Sequence, residues 1–348
     1  MKQNTQAQNQ TRPKMSKGKL IALLVVMLIA LGALVTFLSF ILLSAVGVTK
    51  NGINYRFIPS KWGYYVAEID LSEASSDIVI PEKINSLPVI ELPDYVFQDG
   101  GAFSDYYSKV WNGVTSIHIP KSVTTIGNCF SGGLDLINIT IAKDNPVFHS
   151  ENNCIIETST KTLIAGCKAS IIPDDGSVTT IKSAAFKNCV GLTNITVPQS
   201  VETIEKGAFN GCTNLSSITI PFVGNSRVVD ASNEQWTTDA VVNNFNYIFG
   251  TYNSDVPSTL HNVIITDGTD IGGHAFSGCN EITNITIPSS VTHIGVNAFN
   301  NCTRLKNITF NGTTEQWNKI SKDSGWNNNA NFTIHCSNGT LFSNSTNN

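Results

Sequence analysis

Residues 191–221 read G-L-T-N-I-T-V-P-Q-S-V-E-T-I-E-K-G-A-F-N-G-C-T-N-L-S-S-I-T-I-P, and within them one pattern begins a second time. Leu192, Ile195, Val197 and Pro198 return as Leu215, Ile218, Ile220 and Pro221, each 23 residues later. A period of this size belongs to a supersecondary unit stacked on copies of itself, because a lone unit of that length cannot bury its apolar face. The pattern predicts a solenoid.

The unit has three parts. In L-x-x-I-x-I-P, Ile195 and Val197 alternate with Asn194 and Thr196, the period of a short strand with one face buried. Proline ends the strand because it has no N–H to offer the ladder. Ser200, Val201 and Ile204 follow, with the two aliphatic side chains turned back into the core. Ala208, Phe209 and Cys212 close the unit, and the three-residue step from Phe209 to Cys212 returns to the same side, as one tight helical turn does.

The spacing L-x-x-I-x-I matches the strand of leucine-rich repeats. Ser200, Ser122 and Ser290 stand where that motif usually has Asn or Cys. Residues 287–302, I-P-S-S-V-T-H-I-G-V-N-A-F-N-N-C, carry a more specific form of the unit, which resembles the BspA-like leucine-rich-repeat surface proteins. The resemblance covers roughly residues 52–348, and several copies agree. It implies a leucine-rich-repeat solenoid, a parallel strand ladder with short helical turns on its other side, and a role at the cell surface. It implies no reaction and no cofactor.

Residues 1–19 are a polar tail made basic by Arg12, Lys14, Lys17 and Lys19. Residues 20–48 contain no charge, and a helix needs about 20 apolar residues to cross a bilayer, so a transmembrane signal-anchor is expected there. A cleaved secretory signal is the alternative, with Ser44-Ala45-Val46-Gly47 as its site; such signals have apolar regions of only about 7–15 residues. Basic residues ahead of the span favour an inside N-terminus. The expected topology is a single-pass plasma-membrane protein with extracellular repeats, and a cleaved signal also puts the repeats outside the cytoplasm.

The repeat region is expected over residues 52–311, with insertions near 142–170 and 222–260, followed by a cap and tail over 312–348. Residues 54–71 alternate as an opening hairpin over the first coil would; Tyr55, Trp62, Tyr64 and Tyr65 also suit a lipid interface. Ile78, Ile80, Leu87, Val96 and Phe97 read as a diverged first copy, and Cys129 stands where Ala does in later ones. In 142–170, a hairpin about Thr160 and Lys161 sets Cys154 opposite Cys167, a pair open to a disulfide if the side chains share a face, against the commoner buried thiol. Phe209 and Phe276 are 67 residues apart, read as one period plus an insertion of 44. Its aromatics (Trp236, Phe245, Tyr247, Phe249, Tyr252) fit either a binding excursion or a loop packed on the flank.

Of the residues, 41% are hydrophobic, enough for a core, and 14% are charged. A net charge of -4 without a basic patch beyond the tail gives no reason to expect a nucleic-acid partner. Phe186, Cys189, Phe209, Cys212, Phe276, Cys279, Phe299 and Cys302 recur at fixed repeat positions, and so read as structural core, with the cysteines as buried thiols. No paired C-x-x-C points to zinc, and no metal site is expected. The six histidines are scattered and read as solvated, His293 on a turn. Without a nucleophile elbow, a P-loop or a metalloprotease helix, no enzyme is expected. The recurring N-I-T is the strand's own template and says little about glycosylation.

With the apolar residues inward, the outward strand positions are Asn138/Thr140, Asn194/Thr196, Ser217/Thr219, Asn284/Thr286 and Asn307/Thr309. Stacked, they predict a broad concave sheet of hydroxyls and amides, suited to a host or neighbouring-cell protein or glycan. Adhesin or interaction module is the leading reading. A structural envelope scaffold is the second, and a hydrolase hidden in the 222–260 insertion a distant third.

Overall fold

The computed structural model describes residues 17–45, 47–70, 73–94, 113–130, 135–226, 244–250 and 252–343. Each I-x-I becomes a strand of three or four residues, because alternation leaves one apolar face to bury. Strands Asn194–Thr196, Ser217–Ile220, Asn262–Ile265, Asn284–Ile287, Asn307–Phe310 and Thr333–Cys336 lie side by side in parallel, and Gly339–Phe342 turns back antiparallel at the end. Their register is the repeat itself: Asn194 pairs with Ser217, Ser217 with Asn262, Asn262 with Asn284, Asn284 with Asn307 and Asn307 with Thr333. Ile195, Ile218, Val263, Ile285, Ile308 and Ile334 are buried beneath.

A second ladder runs along the x-x-I positions in two-residue strands, Thr180–Ile181 beside Thr203–Ile204, and Asp270–Ile271, His293–Ile294 and Ser321–Lys322 in turn. Glycine after the isoleucine has a steric cause at Gly295, where a Cβ would come within 2.5 Å of the backbone nitrogen of Gly273 in the preceding coil. The A-F-x-x-C turns form the third side. Phe186 stacks on Phe209 with centroids 5.2 Å apart, and Phe276 on Phe299 at 5.6 Å. The cysteine thiols donate across coils, Cys212 Sγ to the Phe186 carbonyl at 3.1 Å and Cys302 Sγ to the Phe276 carbonyl at 3.0 Å. Burial pushes both thiols up to about 12, so they stay protonated.

The 222–260 segment is not one long insertion. Phe245–Ile248 is a helical turn whose Phe245 ring lies 5.1 Å from Phe276, and Phe249 lies 6.3 Å from Phe209. Backbone bonds join Phe209 N to the Ile248 carbonyl and Phe245 N to the Ala275 carbonyl, as between regular coils. A whole coil therefore lies hidden there, completed by Asn262–Ile265, and the excess over two periods is far shorter than 44 residues. Leu260, Val263 and Ile265 fit L-x-x-I-x-I, but the missing proline and the irregular approach hide the match.

The front half is built differently. Ile53–Ile58 and Gly63–Ile69 form an antiparallel hairpin, joined by Val48–Lys50 on one side and Leu87–Leu92 on the other. Asp77–Val79, Ser116–Ile119 and Asn138–Ile141 make a separate three-stranded parallel sheet. Between it and the long sheet lies an antiparallel meander, Phe148–Glu151, Cys154–Glu157 and Thr162–Ala165, whose last strand opens the second ladder beside Thr180–Ile181. Two apolar cores result. The meander joins them, sending Ile156 and Leu163 to one and Ile155 and Ile164 to the other.

Cys154 and Cys167 form no bridge. The hairpin turns so that Glu157 faces Thr162, and although a bulge after Ile155 sets that residue opposite Ala165, Cys154 still falls one residue short of Cys167. The Cys154 thiol donates to the Ile171 carbonyl, while Cys167 Sγ lies 3.7 Å from Ser170 Oγ, in the other core.

At the N-terminus, Lys17–Ala45 is one helix of 29 residues whose described side chains are all exposed. At 1.5 Å per residue it is about 44 Å long, more than the ~30 Å hydrocarbon core. Val48, at the end of the apolar run, already belongs to a strand, so the helix stops short of the expected 20–48 boundary. The tail before Lys17, Val96, Phe97 and Trp236 lie outside the described residues.

Candidate functional site

The long sheet gathers Asn194, Ser217, Asn284 and Asn307 in one outward column and Thr196, Thr219, Thr286 and Thr309 in the next. Asn138 and Thr140 do not join them. They stand on the three-stranded sheet, beside Ser116 and His118, because the meander interrupts the strand ladder. The hidden coil adds Asn262 to the first column and Ile264 to the second, which puts an exposed aliphatic side chain among threonines. Thr333 and His335 extend the columns at the far end.

The asparagine column is partly closed on itself. Asn284 Nδ2 donates to Asn262 Oδ1 and Asn307 Nδ2 to Asn284 Oδ1, both at 2.9 Å, and His335 Nε2 lies 3.1 Å from Asn307 Oδ1. Amides bonded coil to coil have less to offer a ligand. Asn194 stands outside this chain, its amide on the neighbouring Thr193 hydroxyl.

Beyond the Asn194–Thr196 strand the sheet opens into a recess of about 690 Å³, lined on one wall by Asn194, Thr196 and Gln199 and on the other by Ser170, Ile171 and Asp174. Sequence explains the opening. The preceding coil reads Ile172-Pro173-Asp174-Asp175-Gly176-Ser177-Val178 where the next reads Val197-Pro198-Gln199-Ser200-Val201, so its turn is two residues longer. Gly176 takes the left-handed φ of 85° that such a turn needs. Residues 170–171 are meanwhile tied to the meander: Ser170 Oγ donates to the Asn153 carbonyl at 2.7 Å and Ile171 N to the Asn152 carbonyl at 3.1 Å. The two coils stay stacked behind the recess, with Thr162 paired to Thr180 and Thr180 to Thr203. They are splayed only on the strand side.

Ser200 records the splay. At the same repeat position Ser122 Oγ donates to the Glu82 carbonyl at 3.0 Å and Ser290 Oγ to the Gly268 carbonyl at 2.7 Å, each reaching the coil before. Ser200 Oγ is buried at the recess and has no hydrogen-bond partner among the described atoms. Asp174 is the lone ionisable side chain of the lining. By themselves Asp174, Asp175 and Gly176 mark only a turn; the recess needs the coil on either side.

His293, read as solvated, lies between two carboxylates, its Nδ1 3.0 Å from Asp270 and its Nε2 3.2 Å from Asp323. Burial alone would lower its pKa; the hydrogen bonds and charges of the two aspartates outweigh it and raise it. The group stitches three successive coils of the second ladder and is structural.

Parallel strands, short return strands and helical turns repeating with one period define a leucine-rich-repeat fold. The family model described as BspA type Leucine rich repeat region matches residues 101–222 and 255–345, in six copies, and the chain belongs to that family. Similar solved structures include a leucine rich cell surface protein from Faecalibacterium prausnitzii, 20% identical, with 80% of this chain and 98% of that one covered and a TM-score of 0.33. A leucine-rich repeat protein from Bacteroides ovatus is 19% identical over 83% of this chain and 78% of its own, at a TM-score of 0.36. The pneumococcal vaccine antigen PcpA is 14% identical over 84% of this chain and 88% of its own, at 0.29. No curated protein matches the chain as a relative.

Proposed function

We propose that the chain is a membrane-anchored, externally displayed binding protein, in which the Lys17–Ala45 helix spans the bilayer with its N-terminus inside and the repeats engage a protein or glycan on another surface. Family membership supports surface display, and the exposed apolar helix, otherwise solvated at large cost, supports the anchor. The recess carries the binding reading: three outward positions, Asn194, Thr196 and Thr219, converge there with further polar groups in a volume usual for ligand sites. Binding rather than catalysis is the role these groups suit, since hydroxyls and amides with one carboxylate supply contacts and no paired acid and base.

The test replaces Thr196, Thr219 and Thr286 together with Lys in the full chain displayed on cells. Capture of matrix and surface proteins or of arrayed glycans should fall to background while display is unchanged. Undiminished capture would refute the outer face as the site. The interlocked Asn262, Asn284 and Asn307 column favours a second reading, a scaffold without specific ligand, under which wild type and variant alike capture nothing.

A further inference from the structure

The Asn194–Thr196 strand ends its sheet at the recess, pairing with Ser217–Ile220 and with no other described strand. In a parallel ladder one residue directs both its N–H and C=O to the same side, and the next residue directs both to the other. Val197 N donates to the Thr219 carbonyl at 2.8 Å, and the Thr193 carbonyl accepts from Ser216 N at 2.9 Å, so the odd-numbered residues serve Ser217–Ile220. Asn194 and Thr196 therefore turn their backbone groups to the recess, where no described bond engages them. On the next strand the corresponding set is used: the Ser216 carbonyl accepts from His261 N at 3.1 Å and that of Ile220 from Thr266 N at 2.9 Å. An open row of this kind is a template for another strand.

We propose that the recess receives an extended segment of a partner protein by strand addition, parallel to Asn194–Thr196 and bonded to the backbone of Asn194 and Thr196, with a basic side chain of the segment on Asp174. The inference rests on the binding reading above and names its partner class. Three observations converge on this occupant. The wall is a strand edge, which a peptide backbone complements and a sugar does not. The splay has left a recess of about 690 Å³ beside that edge in coils still joined behind it, and Ser200 Oγ has lost the carbonyl that its counterparts bond. Asp174, exposed and the lone charge of the lining, selects Lys or Arg at the end of the segment.

The probe is a fluorescent heptapeptide with the sequence T-S-I-H-I-P-K, that of residues 115–121, whose lysine in parallel register falls beside Asp174. It is titrated against the full chain in detergent micelles by polarisation. Saturable binding is expected, and methylating alternate backbone nitrogens of the peptide should separate two sets, one tolerated and one weakened more than about tenfold. Asp174→Asn should weaken binding about two- to fivefold, the loss of one exposed ion pair, and Asp175→Asn should not. Thr196→Pro removes a recess-facing N–H that the sheet does not use, and should abolish binding while the circular dichroism spectrum is kept. No saturable binding, equal tolerance of both methylated sets, or full affinity in Asp174→Asn would each overturn the proposal. If the outer-face lysine variant loses a captured partner while the peptide fails to bind, strand addition falls and the binding reading stands. Peptide binding sensitive to Asp174, with no effect of the outer-face lysines on capture, supports strand addition and removes the outer face from the binding surface.

Discussion

At the residue scale the chain is stitched by side chains that reach one coil back or forward, so a small polar group gains a partner only where the neighbouring coil stands at the repeat distance. Cys212, Cys302, Ser122, Ser290 and the asparagine column do this. His293 does it with charge. Its folded pKa is raised above the ordinary value of 6.5, so the imidazolium's contribution is complete below that value and is lost as pH rises through the higher folded value. Thermal melts over a pH series starting at about 5.5, below the ordinary value, and continued upward should show wild type losing stability relative to His293→Gln as pH climbs. Parallel curves would remove the charged His293 from the fold. Its role was not legible in sequence, since Asp270 lies 23 residues before it and nothing local marks the pair.

Among the elements, the coil hidden in 222–260 is the instructive one. Strict recurrence made the other coils readable, because the same apolar positions must meet in every layer. Here the proline is gone and the approach is irregular, so the layer shows only in three dimensions, in the packed Phe209, Phe249, Phe245 and Phe276 rings and the pairing of Asn262–Ile265 on both sides. Phe249 is fully buried between the Phe209 and Phe245 rings. Phe249→Ala should cost about 3–5 kcal/mol in unfolding free energy from denaturant titration, as for a buried phenylalanine of a regular coil. A flank decoration would lose less than about 0.5 kcal/mol, and a loss that small would return the segment to the status of a loop. Tyr252, exposed on the same segment, provides the control.

For the whole molecule, the stack has ends, and an apolar end in water is the failing of every repeat array. At the C-terminus Trp326 and Phe332 pack on Phe299, Trp317 packs on Phe310, and Gly339–Phe342 closes the sheet. Deleting residues 312–343 should leave Phe299 and Phe310 uncovered and give oligomers or aggregates on a sizing column; a monodisperse monomer would show that the segment is dispensable.

The sequence alone determined the period, the inward residues of each regular coil and the apolar N-terminal run, because each is a local pattern repeated until chance is excluded. Tertiary structure decided the break between the two strand sheets, the fate of Cys154 and Cys167, and the recess beside Asn194. Each of these depends on how much of the register a bulge or a turn two residues longer takes up. That is set by the coil packed against it, which comes from another stretch of the chain and leaves no mark on the local pattern.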